Sequence, residues 1–384
     1  MAGRMTTTRL TTAAQLMDGF AARTGLTSDA PPRRYLWTDA FAVCNCLGLH
    51  RRTGAARWLE CAGALIEQVH HVLGRHRPDD ARTGWISGLP EAEGARHPTI
   101  GGLRIGKPLP ERGPADVPDE WLDWERDGQY YHYLTRWLHA LERAAAATGN
   151  RELLRYGVEL ASTAERAFAH RAAGEGRLYW KLSIDLAQSV VATMGQHDPL
   201  DGLTATAALE ALALAAGAGT LGPELRDLAA MCAGRGWATR DALGIGMLLT
   251  DALLLARLAG RVPAVSDELL VRALRDAARS LELVTTGRFL WGPAGDRLAF
   301  RELGLAIGLA AAERLEQLRE AGALPGGAVA AEVVERLQRH VPLRAQLESF
   351  WLQPEHQVVD TWVEHEDINA VMLATSLLPD GYLE

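Results

Sequence analysis

Apolar positions recur at helical spacing along the whole chain, and strand-like alternation is scarce. Two kinds of helical segment take turns. In the first, one apolar stripe opposes a charged side. Within 151–171, for example, Leu153, Leu154, Gly157, Leu160, Ala161, Ala164 and Phe168 share a face that Arg155, Glu159 and Glu165 avoid. Segments 58–73, 267–283 and 328–338 follow the same pattern. In the second kind, nearly every face is apolar or small, as in 40–49, 203–218, 242–256, 303–312 and 368–378. A helix apolar all round must be buried all round. Buried helices alternating with half-exposed ones are what two concentric rings demand. The pattern therefore predicts an all-α fold, an (α/α)6 barrel of six helical hairpins, forming one domain over residues 1–384. An open helical solenoid is the alternative.

The predicted outer helices are 9–23, 55–74, 151–171, 223–234, 266–284 and 327–351. The predicted inner ones are 38–49, 128–147, 201–217, 241–259, 299–321 and 367–378, the last pairing with the first outer helix. Two stretches break the rhythm. Residues 75–126 are rich in Gly, Pro and charge, and they carry Trp85, Arg104, Lys107, Trp121 and Trp124. So long a connection in a compact domain is functional or disordered, and its tryptophans favour an ordered lid. Residues 174–200 hold a short hairpin candidate, GRLYWKLSIDL.

Composition narrows the function classes. Of 384 residues, 48% are apolar, enough for a large core, and a net charge of -8 from interspersed signs gives no basic stripe for nucleic acid. The N-terminal segment lacks an apolar run of signal-peptide type. No stretch reaches the ~18 apolar residues that span a bilayer. A cytoplasmic protein without a membrane partner is the expectation, and a homodimer stays open as its assembly. Cys44, Cys46, Cys61 and Cys232 lie in apolar helical segments and are expected as reduced core thiols. GGLRIGK lacks the P-loop pattern and follows no strand, and no HxxxH or CxxC spacing occurs, so neither a cofactor nor a metal is expected. Arg104 and Lys107 are candidates for holding an anionic group of a small-molecule substrate.

Acidic residues, often beside His or an aromatic, mark the starts of the inner helices. They are Trp37-Thr38-Asp39; Trp124 to Asp127 followed by Gln129, Tyr130, Tyr131 and His132; His197-Asp198 with Asp201; Asp241; and Trp362 with His365, Glu366 and Asp367. The fifth start is less clear, with Glu302 its best candidate. In a ring of hairpins these starts share one mouth. Asp is also a preferred N-cap, because its carboxylate accepts the free N–H groups of the first turn, and Asp39 and Asp241 fit that role directly. Pairing of acids argues for more than capping, since one cap needs one carboxylate. Candidate acid–base groups are Asp39, Asp127, His132, Asp198, Asp201, His365 and Glu366. Candidate substrate-binding groups are Trp37, Arg104, Lys107, Trp124, Gln129, Tyr131, His197, Asp241, Trp362 and Asp367. Gln129, His132 and Arg136 are expected on one helical face. Paired carboxylates suit glycosidic chemistry, one protonating the leaving oxygen and the other acting as base or nucleophile. Flat aromatic faces beside carboxylates are suited to holding sugars.

The strings WTDAFAV, WERDGQYYHYLTRWLHAL, MGQHDPLDG and EHEDINAVMLATSLLP resemble the six-hairpin glycosidase superfamily, and more closely its bacterial members without an assigned activity. The resemblance implies a site at the inner-helix mouth. It also implies glycoside hydrolysis, unsaturated uronyl hydrolysis or sugar epimerisation on a small sugar or glycoside. Lyase, isomerase or cyclase chemistry on a terpenoid or other biosynthetic intermediate is the alternative, and a non-catalytic binding protein is a third.

Overall fold

The computed structural model describes residues 2–113, 116–117, 119–217, 220–285 and 289–384, with the side chains of all of these except 2–6, 120 and 289. Residues 114, 115 and 118 of the 75–126 stretch, and Ala218 of the apolar run, lie outside it. In chain order the elements are α1 (Ala2–Arg23), α2 (Leu36–Thr53), α3 (Ala56–Leu73), the short α4 (Glu91–Arg96) and α5 (Glu120–Glu125), β1 (Gln129–Tyr130), α6 (Tyr131–Thr148) and α7 (Arg151–Phe168). Next come β2 (Ala169–Ala172), β3 (Glu175–Leu178), β4 (Lys181–Leu182), β5 (Ser189–Val191), α8 (Asp198–Ala215) and α9 (Gly222–Cys232). Last are α10 (Ala242–Leu258), α11 (Asp267–Thr285), α12 (Ala299–Glu320), α13 (Gly327–Leu337), α14 (Pro342–Trp351), α15 (Asp360–Val363), α16 (Glu366–Leu377) and α17 (Asp380–Leu383). The fold is all-α with few strands.

The chain forms two compact units. One comprises 21–50 and 54–233, the other 1–20, 51–53 and 234–384. In the first, α6 packs on its hairpin partner α7 and also on α8, which carries α9 outside it. In the second, α10 packs on α12 and α12 on α16, with α11, α13 and α14 along their outer sides. Helices apolar all round thus touch one another, and amphipathic ones cover them. α2 is buried without interruption from Leu36 to Leu49, whereas α7 buries only its Leu154, Gly157, Leu160, Ala161, Ala164 and Phe168 side and a few flanking residues. No helix among the described residues is long and apolar enough to cross a membrane. The four cysteines are free thiols, three of them buried.

Small residues set the closest approach. A Cβ on Gly246 of α10 would lie 2.0 Å from the Gly304 carbonyl oxygen of α12, and one on Gly308 would lie 2.4 Å from the Gly246 Cα. Three glycines therefore let two buried backbones meet where any side chain would hold them apart.

Three elements differ from the sequence expectation. The outer helix expected over 327–351 is two helices, with a single 3-10 turn at 338–340 between them. Pro342 explains the break: it has no N–H to give the preceding turn, and it opens α14 at a position suited to its fixed φ. The helix expected to reach 171 stops at Phe168, and the chain turns into an antiparallel β2–β3 hairpin whose two-residue turn, Ala173–Gly174, has both φ angles positive. The two halves of GRLYWKLSIDL do not pair with each other: β3 pairs back with β2, and β4 lies between β1 and β5, antiparallel to both, in a three-stranded sheet of order β1-β4-β5. At the other end of the chain, α1 meets α14 through an Arg9–Glu348 ion pair.

The 75–126 connection is pinned rather than loose. Arg104 donates to the carbonyls of Val72 and Arg75, closing the C-terminal end of α3, and its remaining arm pairs with Asp127. The Asp127 N–H donates to the Leu109 carbonyl at 2.8 Å, so residues 110–125 leave and return at one point.

Candidate functional site

The first turns of α6 and α8 bring together His132, Arg136, Asp198 and Asp201. His132 and Arg136 are one turn apart on α6, the spacing that puts two side chains on one face. Arg136 Nη2 reaches Asp201 Oδ1 at 2.5 Å, and both residues are buried. Asp198, one turn earlier on α8, is buried too, and its Oδ2 accepts the Gly195 N–H at 2.9 Å. Burial, with the neighbouring Asp201 charge, pushes the Asp198 carboxyl up to about 7, against the pull of the Gly195 N–H and Arg136. It is therefore a carboxyl that both holds and releases a proton near neutrality.

His132 is the counterpart. Burial pulls its imidazole down to about 4, with Asp201 opposing and Arg136 assisting. The Trp180 indole N–H donates to His132 Nδ1 at 2.7 Å. With Nδ1 an acceptor, the neutral ring carries its proton on Nε2. His132 is thus held as a neutral hydrogen-bond donor.

Aromatic rings surround it, Tyr130 buried and the others half-buried. Tyr130 stacks on His132 at 5.2 Å, Tyr133 meets it edge-on at 4.8 Å, and Trp180 lies tilted at 5.6 Å. Trp124 abuts Trp180 at 4.2 Å, and the Tyr133 and Tyr35 hydroxyls share a 2.6 Å hydrogen bond. Behind this cluster two ammonium groups lie over the Tyr130 ring, Lys181 at 5.1 Å and Lys107 at 5.8 Å. Lys181 is buried and donates to the carbonyls of Asp123 and Arg126, and burial pulls it down to about 8. Lys107 donates to the Trp124 carbonyl, and burial lowers its pKa as well.

Several expected site residues stand elsewhere. Asp127 is fully buried: Oδ2 pairs with Arg104 and approaches Arg77 at 3.6 Å, and Oδ1 accepts the N–H groups of Gly106 and Lys107. Neither Arg104 nor Asp127 presents a free group; each is the other's partner. Gln129 lies on β1, not on the α6 face expected to hold it with His132 and Arg136. Its amide bonds the Leu103 N–H and the carbonyls of Gly101 and Ile184, which ties down the connection. Asp39 reaches back to the Tyr35 N–H at 2.9 Å and pairs with buried Arg34 at 3.2 Å. Trp37 and Tyr131 are core residues, packed on Phe41 and Phe168, because the first turns of α2 and α6 are themselves buried. His197 occupies the half-buried N-cap position of α8.

The remaining candidates belong to the other unit. Asp241 is the N-cap of α10, its side chain accepting the Gly244 N–H at 2.8 Å, and it also pairs with Arg301. Trp362 is buried against Trp351 at 5.8 Å, not on a surface. His365 and Glu366 are exposed at the start of α16, with half-buried Asp367 behind them. Glu302 is a buried partner of Arg297 and of the Trp351 indole. Among the described residues no group of three or more His, Cys, Asp or Glu is arranged to hold a metal ion.

The sequence did not single out Trp180 or Tyr35, and Tyr133, though it stands beside His132 at a predicted helix start, was not among the site candidates. The signal for Tyr133 was present in the DGQYYHYLTRW string, one residue past His132. Trp180 stands at the bend just before β4, whose position is set by pairing with β1 some fifty residues earlier, and local periodicity carries no such information.

No family model matches the chain, and no curated protein matches it in sequence. Solved structures do. The GH76A α-1,6-mannanase from Salegentibacter sp. HEL1_6 superposes with a TM-score of 0.52 at 12% identity, over 96% of this chain and 98% of that one. An inactive variant of that enzyme in complex with α-1,6-mannotriose gives a TM-score of 0.50 at 12% identity, over 98% and 100%. Cellobiose 2-epimerase from Spirochaeta thermophila gives 0.44 at 14% identity, over 80% and 74%.

Proposed function

Starting from a chain that has the (α/α)6 fold of the six-hairpin glycosidases, we propose that it is a carbohydrate-active enzyme working by general acid–base catalysis at the starts of α6 and α8. The observation that carries this reading is the conjunction at one place of a carboxyl titrating near 7, a neutral histidine donor, a buried Arg136–Asp201 pair and half-buried aromatic rings. Each part has a physical task. Trp180 and Trp124 offer flat apolar faces to the C–H face of a sugar ring. The His132 Nε2–H donates to a sugar oxygen. Arg136 pairs with Asp201, and burial together with the Asp201 charge lifts the Asp198 carboxyl to about 7, so that it exchanges its proton near neutral pH. Asp198 is the group that exchanges the proton with the substrate. Fold by itself does not assign chemistry, and the mannotriose complex of a fold neighbour supports a sugar ligand without naming one.

The test is a panel of aryl glycosides, unsaturated uronides and free sugars. Release of the aglycone identifies hydrolysis, and interconversion of a free sugar identifies epimerisation. Asp198→Asn is expected to lower turnover by about 10²–10⁴-fold while leaving sugar-induced thermal stabilisation in place, and Trp180→Ala to abolish that stabilisation. Absence of both turnover and thermal shift across the panel refutes the proposal.

A further inference from the structure

A cavity of about 480 Å³ opens at the far end of α2 and α6 in the unit comprising 21–50 and 54–233. Its wall includes Ala144, twelve residues beyond His132 and so roughly 18 Å further along α6. It is therefore separate from the cluster described above. The walls are mainly aliphatic, from Leu47, Leu59, Ile66 and Leu153, with the rings of Trp85 and Tyr156. The charged groups at its edge are Glu67, Glu91 and Glu152, of which Glu91 is paired with Arg75 and Glu152 with Arg155. Among the described lining residues none is a lysine or arginine, so the wall offers an anion no cation of its own.

One polar side chain faces this apolar space from within the core. His70 on α3 is only 5% exposed. Its ring stands edge-on to Trp137 and Tyr156, and its Nε2 accepts the Trp137 indole N–H at 3.1 Å. Nε2 is thereby committed as an acceptor, and the single proton of the neutral ring sits on Nδ1. Burial pulls His70 down to about 3, so the ring stays neutral throughout the physiological range. Among the described residues Nδ1 has no hydrogen-bond partner, yet it is not one of the polar atoms sealed inside the protein. It is open to the cavity that His70 lines. An N–H held at the back of an apolar pocket is the arrangement by which proteins orient a small ligand through one acceptor atom.

We propose that this cavity is a second ligand site, for a small, neutral, mainly apolar molecule carrying a carbonyl or ether oxygen that accepts the His70 Nδ1–H. The volume lies in the lower half of the range for small-molecule pockets. A mainly aliphatic wall without lysine or arginine among its described residues disfavours carboxylates and phosphates. The lone donor fixes which end of the ligand enters first.

The test uses the full chain and two probes of similar shape, acetophenone, which has the acceptor oxygen, and ethylbenzene, which lacks it. Titration calorimetry on the wild type is expected to show acetophenone binding about 3- to 10-fold more tightly, the effect of one neutral hydrogen bond. His70→Phe is expected to abolish that preference and keep ethylbenzene binding. Because His70→Phe leaves the Trp137 indole without its acceptor, a second variant is needed that leaves this pair intact. Gly63 lines the cavity, and a Cβ added there meets nothing within 4 Å. Gly63→Leu therefore fills the space from a tolerant helical position and is expected to eliminate binding of both probes. Equal affinities in the wild type, no binding of either probe, or binding that survives Gly63→Leu overturns the proposal.

Discussion

Glu165 on α7 is a buried carboxyl with no hydrogen-bond partner for either oxygen among the described residues. Burial, with the Asp227 and Glu224 charges of α9 adding to it, pushes its pKa from an ordinary 4.5 up to about 8. At about 1.4 kcal/mol per pH unit, that span puts the cost of ionising Glu165 in place at about 5 kcal/mol. The sign follows from proton counting. Below the unfolded value both states hold the proton, and the group is silent. Between about 4.5 and 8 the folded chain holds a proton that the unfolded chain has lost, so stability falls by about 1.4 kcal/mol for each pH unit. Above about 8 the full cost is present. Glu165→Gln keeps the shape and removes the titration. The variant is therefore expected to match the wild type within about 1 kcal/mol at pH 5 and to exceed it by about 3 kcal/mol at pH 7 and about 5 kcal/mol at pH 8.5. Urea unfolding followed by circular dichroism at the three pH values measures this, and the difference between variant and wild type cancels the titration of distant groups. A difference that stays flat from pH 5 to 8.5 refutes the reasoning.

Other substitutions probe other features. Gly246→Ala puts a methyl against the Gly304 carbonyl, where backbone blocks relaxation; it is expected to cost about 3 kcal/mol, toward the upper end for overpacking, read as a lowered melting temperature. Asp127→Asn removes the counter-charge of buried Arg104 and is expected to destabilise by about 3–5 kcal/mol, with amide exchange accelerated first around 101–109. Trp180→Phe removes the donor to His132 Nδ1. Protonating that nitrogen then breaks no hydrogen bond, so the His132 pKa is expected to rise from about 4 toward the usual histidine range, followed by NMR titration of the ring; an unchanged titration would show that burial alone sets it.

The alternation of helices apolar all round with striped ones was legible in the sequence because burial acts residue by residue at 3.6-residue spacing, and α2, α7, α10 and α12 followed it. The division of labour among polar residues was not legible. Arg104 and Asp127 each looked like a group waiting for a ligand, yet they satisfy one another across 23 residues, and a partner so distant in sequence leaves no local mark. Tryptophans at helix starts looked alike in sequence too. Trp37 and Trp362 face the core, and Trp124 is only half-buried, because each start leaves its helix differently buried. Asp198 and Asp201 stood out in the sequence because acids in pairs exceed what a single helix cap requires, and the structure places them near Arg136 and His132.

The bond between Asp127 and the Leu109 carbonyl has an evolutionary meaning. It joins the two ends of residues 110–125, and the Arg104–Asp127 pair fastens that junction to the end of α3. Glu111 at one end of the loop is bonded to Arg82 and to the Ile184 N–H, and the Asp123 and Trp124 carbonyls at the other end accept from Lys181 and Lys107; between these ties a change of length costs little, since doubling a loop costs only about 0.6 kcal/mol in closure entropy. The stretch between Glu111 and Asp123 is thus the exchangeable part. A descendant of this chain can replace it wholesale, and so alter what that surface meets, while the junction and the helices behind it stay as they are.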